Sequence, residues 1–111
     1  MSIKNQVVLV GHIGATPEVK ELSNKKYCRF SLATNESYKN AVGEKVTETQ
    51  WHSCTAWGKT AEFCEQLLQK GTFVLVTGKL THRDYVDAQG VKRYITEVLI
   101  NEFLVLSGRP E

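Results

Sequence analysis

The sequence predicts an all-β domain, five strands closing a small barrel with one helix between the third and fourth. Three observations predict it. Apolar and polar residues alternate with period two over several long stretches. Glycines interrupt those stretches where a closing sheet must bend. Only one segment keeps a helical period. The 111 residues suit a single compact core and leave no room for a second domain.

Val7-Val8-Leu9-Val10 opens the first strand, and Gly11-His12-Ile13-Gly14 continues it with two glycines that mark a bulge or bend. Pro17 starts a second extended piece, Glu18 to Leu22, and Ser23-Asn24-Lys25-Lys26 reads as a turn. Tyr27 to Lys39 is a long strand with Cys28, Phe30, Leu32 and Thr34 on one face. A polar loop, 40–46, leads to the strand Thr47 to Trp57. Gly58 interrupts that strand, and Thr60 to Lys70 is the predicted helix, with Ala61, Cys64, Leu67 and Leu68 on one face and Phe63 beside them. Thr60 fits its N-cap, Lys70 its last turn and Gly71 its end. Thr72 to Tyr85 and Lys92 to Leu106 are the last strands, joined through the turn residues Asp87-Ala88-Gln89-Gly90. Three strands, one helix and two strands in this order describe an OB-fold, a five-stranded Greek-key barrel. The domain is expected to occupy 1–106, with 107–111 as a short tail.

Composition excludes several classes of function. Fourteen Lys and Arg against twelve Asp and Glu give a net charge of +2, too near neutral to announce a polyanion partner, so any such argument rests on where the charges sit. Cys28, Cys54 and Cys64 cannot all pair within one chain and show no C-x-x-C spacing, which fits buried thiols in a reducing cytosol. The N-terminus has no apolar signal core, and no apolar run approaches the roughly 18 residues that span a membrane. A cytoplasmic location is expected. No nucleophile elbow, zinc-protease helix or phosphate loop occurs, and His12, His52 and His82 stand apart from any Asp or Cys at metal-ligand spacing. Neither an enzyme nor a bound cofactor or metal is expected.

On the strand Thr47 to Trp57, Trp51, Ser53, Thr55 and Trp57 share one face, and His52, Cys54 and Ala56 the other. The small residues suit a tight barrel interior, and burying both tryptophans would bury Ser53 and Thr55 with them. Tryptophan is ordinarily a core residue, so parity alone leaves core and surface both open. If displayed, the two indoles lie roughly 20 Å apart along the strand. The fourth strand repeats the pattern. Val74, Val76, Gly78 and Leu80 form an apolar or small face, while Thr77, Lys79, Thr81, Arg83 and Tyr85 form a face ending in a cation and a ring. Tyr38-Lys39 puts another ring beside a cation at a strand tip, and Lys59 and Lys70 bracket the helix. Rings stack on bases with little sequence preference, and scattered cations neutralise phosphates. Duplex DNA favours a groove-reading helix, whereas the helix here spends one face on the core and carries more acid than base.

Linked stretches carry a resemblance across 5–106: Val8-Leu9-Val10-Gly11-His12-Ile13-Gly14 with Pro17-Glu18-Val19, Ser31-Leu32-Ala33-Thr34-Asn35-Glu36-Ser37-Tyr38, Glu48-Thr49-Gln50-Trp51-His52, Gly58-Lys59-Thr60-Ala61-Glu62, Leu68-Gln69-Lys70-Gly71, Thr77-Gly78-Lys79-Leu80, and Arg93-Tyr94 with Thr96-Glu97-Val98. In these the chain resembles the bacterial single-stranded DNA-binding protein family. The resemblance implies an OB-fold homotetramer that holds single-stranded DNA in replication, recombination and repair. It implies stacking rings at Trp51, Trp57, Tyr38 and Tyr85, phosphate contacts at Lys59, Lys70 and Arg83, and a subunit-interface role for His52. Lys79 and Lys39, beside those rings and cations, join the phosphate contacts. Asp84 departs from the basic residue common at its place, which puts a contact beside Tyr85 in doubt. The family's flexible linker and acidic tip, which recruit replication and repair proteins, are not found before Glu111, so recruitment by this chain is doubtful. The competing reading is an OB-fold replication-accessory or protein-interaction subunit that binds DNA weakly.

Overall fold

The computed structural model describes residues 3–106; the tail expected at 107–111 lies outside the described residues. The elements in chain order are β1 (Val7–Ile13), β2 (Glu18–Leu22), β3 (Lys25–Lys39), β4 (Lys45–Trp57), α1 (Gly58–Leu67), β5 (Phe73–Val86) and β6 (Lys92–Val105). Hydrogen-bonded neighbours run β1-β5-β6-β4-β3, and β1 meets β3 again at His12↔Ala33 and Ile13↔Leu32, which closes five strands into the expected barrel. After a break at 14–17, β2 runs on along β3 from Glu18↔Arg29 to Leu22↔Lys25, so β1 and β2 act as two halves of one barrel strand. β4 and β6 pair in parallel, at Cys54↔Val98 and Thr55↔Leu99.

Turn chemistry sets the hairpins. Ser23 and Asn24 both take positive φ (50° and 65°), the two-residue turn that matches strand twist, and Lys25 and Lys26 already pair with Leu22 and Glu21. The turn is therefore two residues shorter than the sequence reading. Between β5 and β6, one Asp87 carboxylate oxygen accepts the Gln89 and Val91 N–H groups and the other accepts Arg93 Nε at 2.9 Å. The Arg93 guanidinium and then these amides hold the Asp87 carboxyl below the usual range.

The interior follows the predicted alternation. Cys28, Phe30 and Leu32 of β3 face Cys54 and Ala56 of β4, with Val74 and Val76 of β5, Val98 and Ile100 of β6, and Ile13 of β1. These mostly small and medium side chains fill the narrow barrel interior. Burial pushes the Cys54 thiol up to about 12, and Cys64 is pushed up by its hydrogen bond to Cys28 and then by burial, so both stay protonated at neutral pH.

The helix departs from the sequence reading at both ends. It begins at Gly58 rather than Thr60, because Gly58 takes φ +63° and turns the chain from β4 straight into the first helical turn. Trp57 holds the N-cap place without a side-chain cap bond, and Thr60 lies inside the helix. At the other end, Leu68 donates its N–H to Cys64 O at 3.0 Å and then extends, carrying its side chain into the core. Lys70 and Gly71 therefore follow the helix instead of ending it. Ala61 and Cys64 are the buried helical residues; Leu67, expected on their face, and Phe63 beside it are exposed. Leu80, expected on the inner face, is also exposed: β5 has passed its last pair with β1, Val7↔Gly78, and Asn5 caps that backbone edge through Nδ2 to the Leu80 carbonyl and Leu80 N–H to Oδ1.

Candidate nucleic-acid interface

β4 carries Trp51 and Trp57 outward, at 63% and 41% exposure, while Cys54 and Ala56 face the core. Parity is thus resolved toward the surface. Thr55, expected to be exposed with them, is buried, because it forms the floor of a surface groove where β4 pairs with β6. Its burial reflects walls rising on both sides of the outer face.

Those walls come from neighbouring strands in register. Tyr27 of β3 lies opposite Trp57, Arg29 opposite Thr55, Ser31 opposite Ser53 and Ala33 opposite Trp51. The Tyr27 and Trp57 rings pack with centroids 4.6 Å apart, tilted by 50°. Partial burial, and then the nearby Glu97 charge, raise the Tyr27 phenol above its ordinary pKa. Lys20 and Leu22 of β2 and Thr81, Arg83, Glu97 and Leu99 of β5 and β6 complete a groove of about 520 Å³. At the other end of the row, the Trp51 ring lies against Gly14: a Cβ built there would stand 2.5 Å from Trp51 Cζ3. Only glycine lets the backbone come this close to the indole face.

The cations predicted to hold phosphates fall in unequal settings. Lys79 lines a second cavity, of about 510 Å³, together with Trp57, Thr60 and Asn101. Lys59 stands in the first turn of α1, two residues beyond Trp57, and is exposed. Lys39 lies opposite Lys45 at the end of the β3–β4 hairpin, one residue beyond exposed Tyr38, whose hydroxyl donates to Glu48 Oε2 at 3.5 Å. Lys70 is exposed in the turn after α1, where the Gly71 N–H bonds Ile13 O at 2.8 Å. Arg83 stands in a different setting from these lysines. Its Nε and Nη2 reach the two carboxylate oxygens of Glu97 at 3.2 and 3.4 Å, and this contact raises the guanidinium pKa further. Glu97 is buried, so the ion pair already engages much of the positive charge expected to meet phosphate.

Tyr85 is exposed near the tip of the β5–β6 hairpin, opposite Arg93, while its neighbour Asp84 pairs with Lys92 at 3.2 Å. The rings are therefore distributed: Trp51, Trp57 and Tyr27 share the continuous outer face, while Tyr38 and Tyr85 sit on separate hairpin arms. His52 is half-buried on the opposite face of β4, with Nε2 2.9 Å from Thr34 Oγ1. Sequence reasoning missed Tyr27, Arg29, Gly14 and Glu97. Alternation against Cys28, Phe30 and Leu32 placed Tyr27 and Arg29 outward, but their contact with Trp57 and Thr55 depends on a register that period-two patterning leaves free.

A model of the Single-strand binding protein family matches residues 4–106. The chain is similar to the "Single-stranded DNA-binding protein" of Neisseria meningitidis serogroup A / serotype 4A, 37% identical over 108 residues that cover 96% of this chain and 62% of that protein. It is 38% identical over 107 residues to "Single-stranded DNA-binding protein 1" of Chlorobaculum tepidum, covering 95% of this chain and 66% of the relative. The chain thus spans a little under two thirds of the length of these relatives. Among solved structures it is similar to a chain of "Plasmodium falciparum SSB complex with ssDNA", with a TM-score of 0.86, 28% identity and coverage of 96% of this chain and 97% of that one.

Proposed function

Since the chain belongs to the single-strand binding protein family, we propose that it binds single-stranded DNA without sequence preference, as a binding protein and not an enzyme. The observation that carries this reading is the pair of exposed tryptophans on one face of β4, with a groove and cations beside them. Bases stack on Trp51 and Trp57 and, farther along the strand, on Tyr38 and Tyr85; Lys59, Lys79, Lys39, Lys70 and the outward part of Arg83 take phosphates. Adding oligo(dT) at low salt is expected to quench tryptophan fluorescence strongly, with partial reversal by added salt. Unchanged emission at low salt would remove the reading. The cellular setting that fits it is DNA exposed during replication, recombination and repair, in the cytoplasm beside the nucleoid; a fluorescent fusion that ignores replicating nucleoids would contradict this.

A homotetramer fits the same reading. β1 pairs with β5 through 7–12 but touches β3 only at His12 and Ile13, which leaves most of one strand edge unpaired. Val8 and Val10 on it, and Leu104 of β6, are exposed apolar side chains. His52 is placed at a subunit contact in this reading. Light scattering is expected to give four times the chain mass, lowered by His52→Asp; a monomer at micromolar concentration would exclude the assembly.

A further inference from the structure

Between the two tryptophans, the structure holds a cation that none of the expected contacts uses. Arg29 lies on the outer face of β3 opposite Thr55, half-buried, and lines both the large groove beside Trp57 and a smaller cavity of about 270 Å³. Its guanidinium makes one long hydrogen bond, Nη2 to Ser53 Oγ at 3.4 Å. Four carboxylate pairs are formed among the described residues, by Lys26, Arg83, Lys92 and Arg93, and Arg29 is in none of them. Even Glu18, its register partner on β2 and a wall of the same small cavity, stays beyond ion-pair distance. Arg83, one β-strand pair away across the groove, is the opposite case, with its fork committed to buried Glu97.

A guanidinium carries five N–H donors; Arg29 spends one on a long bond, and the others open to the cavities, where an acceptor can reach them. Apart from the Glu18 carboxylate on its β2 wall, the other polar side chains of the small cavity are hydroxyls: Thr16, Ser31 and Ser53. Hydroxyls that can donate, around a cation that cannot lose its proton, form a cradle for a tetrahedral anion carrying several acceptor oxygens. The cavity lies beside Ser53, midway along β4 between Trp51 and Trp57, where a strand stacked on both rings must pass its backbone.

We propose that Arg29, with Ser53, Ser31 and Thr16, forms a phosphodiester subsite that holds the backbone linking the bases stacked on Trp51 and Trp57. It rests on the single-strand binding reading above and names a contact within that site. The test is the salt dependence of oligo(dT) binding by the full chain, followed through tryptophan fluorescence for wild type, Arg29→Gln, Arg29→Lys and Lys26→Ala. One phosphate contact to a single strand contributes about 0.7 to the slope of log affinity against log salt. Arg29→Gln is expected to flatten the slope by about that amount, so its disadvantage shrinks about fivefold over a tenfold rise in salt. Arg29→Lys restores the slope, because it restores the charge. Lys26→Ala leaves it unchanged, since that lysine faces α1 and is paired with Glu65 at 2.7 Å. Arg29→Gln keeps a stem and a donor for Ser53, and an unaltered urea midpoint establishes that it folds. A wild-type slope in Arg29→Gln overturns the subsite while leaving single-strand binding intact. Failure of the wild-type chain to bind overturns both.

Discussion

Replacing Trp57 by alanine is expected to weaken oligo(dT) binding by about 1–3 kcal/mol, or roughly 5- to 150-fold. The loss belongs near the upper end because the ring is held in place before DNA arrives. It packs on Tyr27 at 4.6 Å and forms a wall of two cavities, so little ordering cost remains when a base stacks on it. Trp51 is freer, at 63% exposure, and leans on the bare backbone at Gly14; Trp51→Ala falls in the same range but nearer its lower end. Both losses are to be measured with oligo(dT), oligo(dC) and a mixed sequence. Stacking predicts similar losses for each, since every base offers a π-face. A loss confined to one sequence would replace stacking by base-edge readout. Neither ring belongs to the core, so the urea midpoint should move little, and a collapse of stability in Trp57→Ala would mean that the ring serves the fold rather than the ligand.

Local alternation made the barrel legible and grouped Trp51 and Trp57 on one face of β4, but left that face open between core and surface. The observed core, filled by Cys54, Ala56, Val74, Val76, Leu32 and their neighbours, is what turns both tryptophans outward. What stayed hidden was set by contacts distant in sequence. Arg83 reads as a free cation on its own strand; only the pairing of Thr81 with Glu97 brings the buried carboxylate within reach of its fork. Arg29 reads as one basic residue among many until β3 is registered on β4 and it appears between the two indoles. The start of the helix was missed for a local reason. Thr60 carries an N-cap side chain, but the conformational freedom of Gly58 starts the helix two residues earlier.

Gly78→Ala is expected to be the most damaging small substitution for the fold. A Cβ built there would stand 2.1 Å from Leu99 O and 2.8 Å from Leu99 C, both backbone atoms that no rotamer change can move. The site lies at the barrel corner. Pairing passes from Thr77↔Glu102 to Gly78↔Ile100, leaving Asn101 as an extra residue in β6, and beyond the resulting bend β6 pairs with β4 as well as β5 at Leu99 and Val98. Gly78 also pairs with Val7 on its other side, so it is held by strands on both flanks. Relief requires separating β5 from β6 where the barrel closes, at about 1–3 kcal/mol or more for overpacking a fixed backbone. The measurement is the urea midpoint at constant m-value, with Gly14→Ala as the contrast. At Gly14 the close atom is Cζ3 of an exposed indole that can swing aside, so stability should hold while the Trp51 contact with DNA weakens. Equal stability of Gly78→Ala and wild type would mean that the corner tolerates a wider crossing than the backbone spacing allows. Because Gly78, Lys79 and Trp57 line one cavity, a folded Gly78→Ala is also expected to bind oligo(dT) less tightly: the spacing that closes the barrel also shapes the cavity beside Trp57.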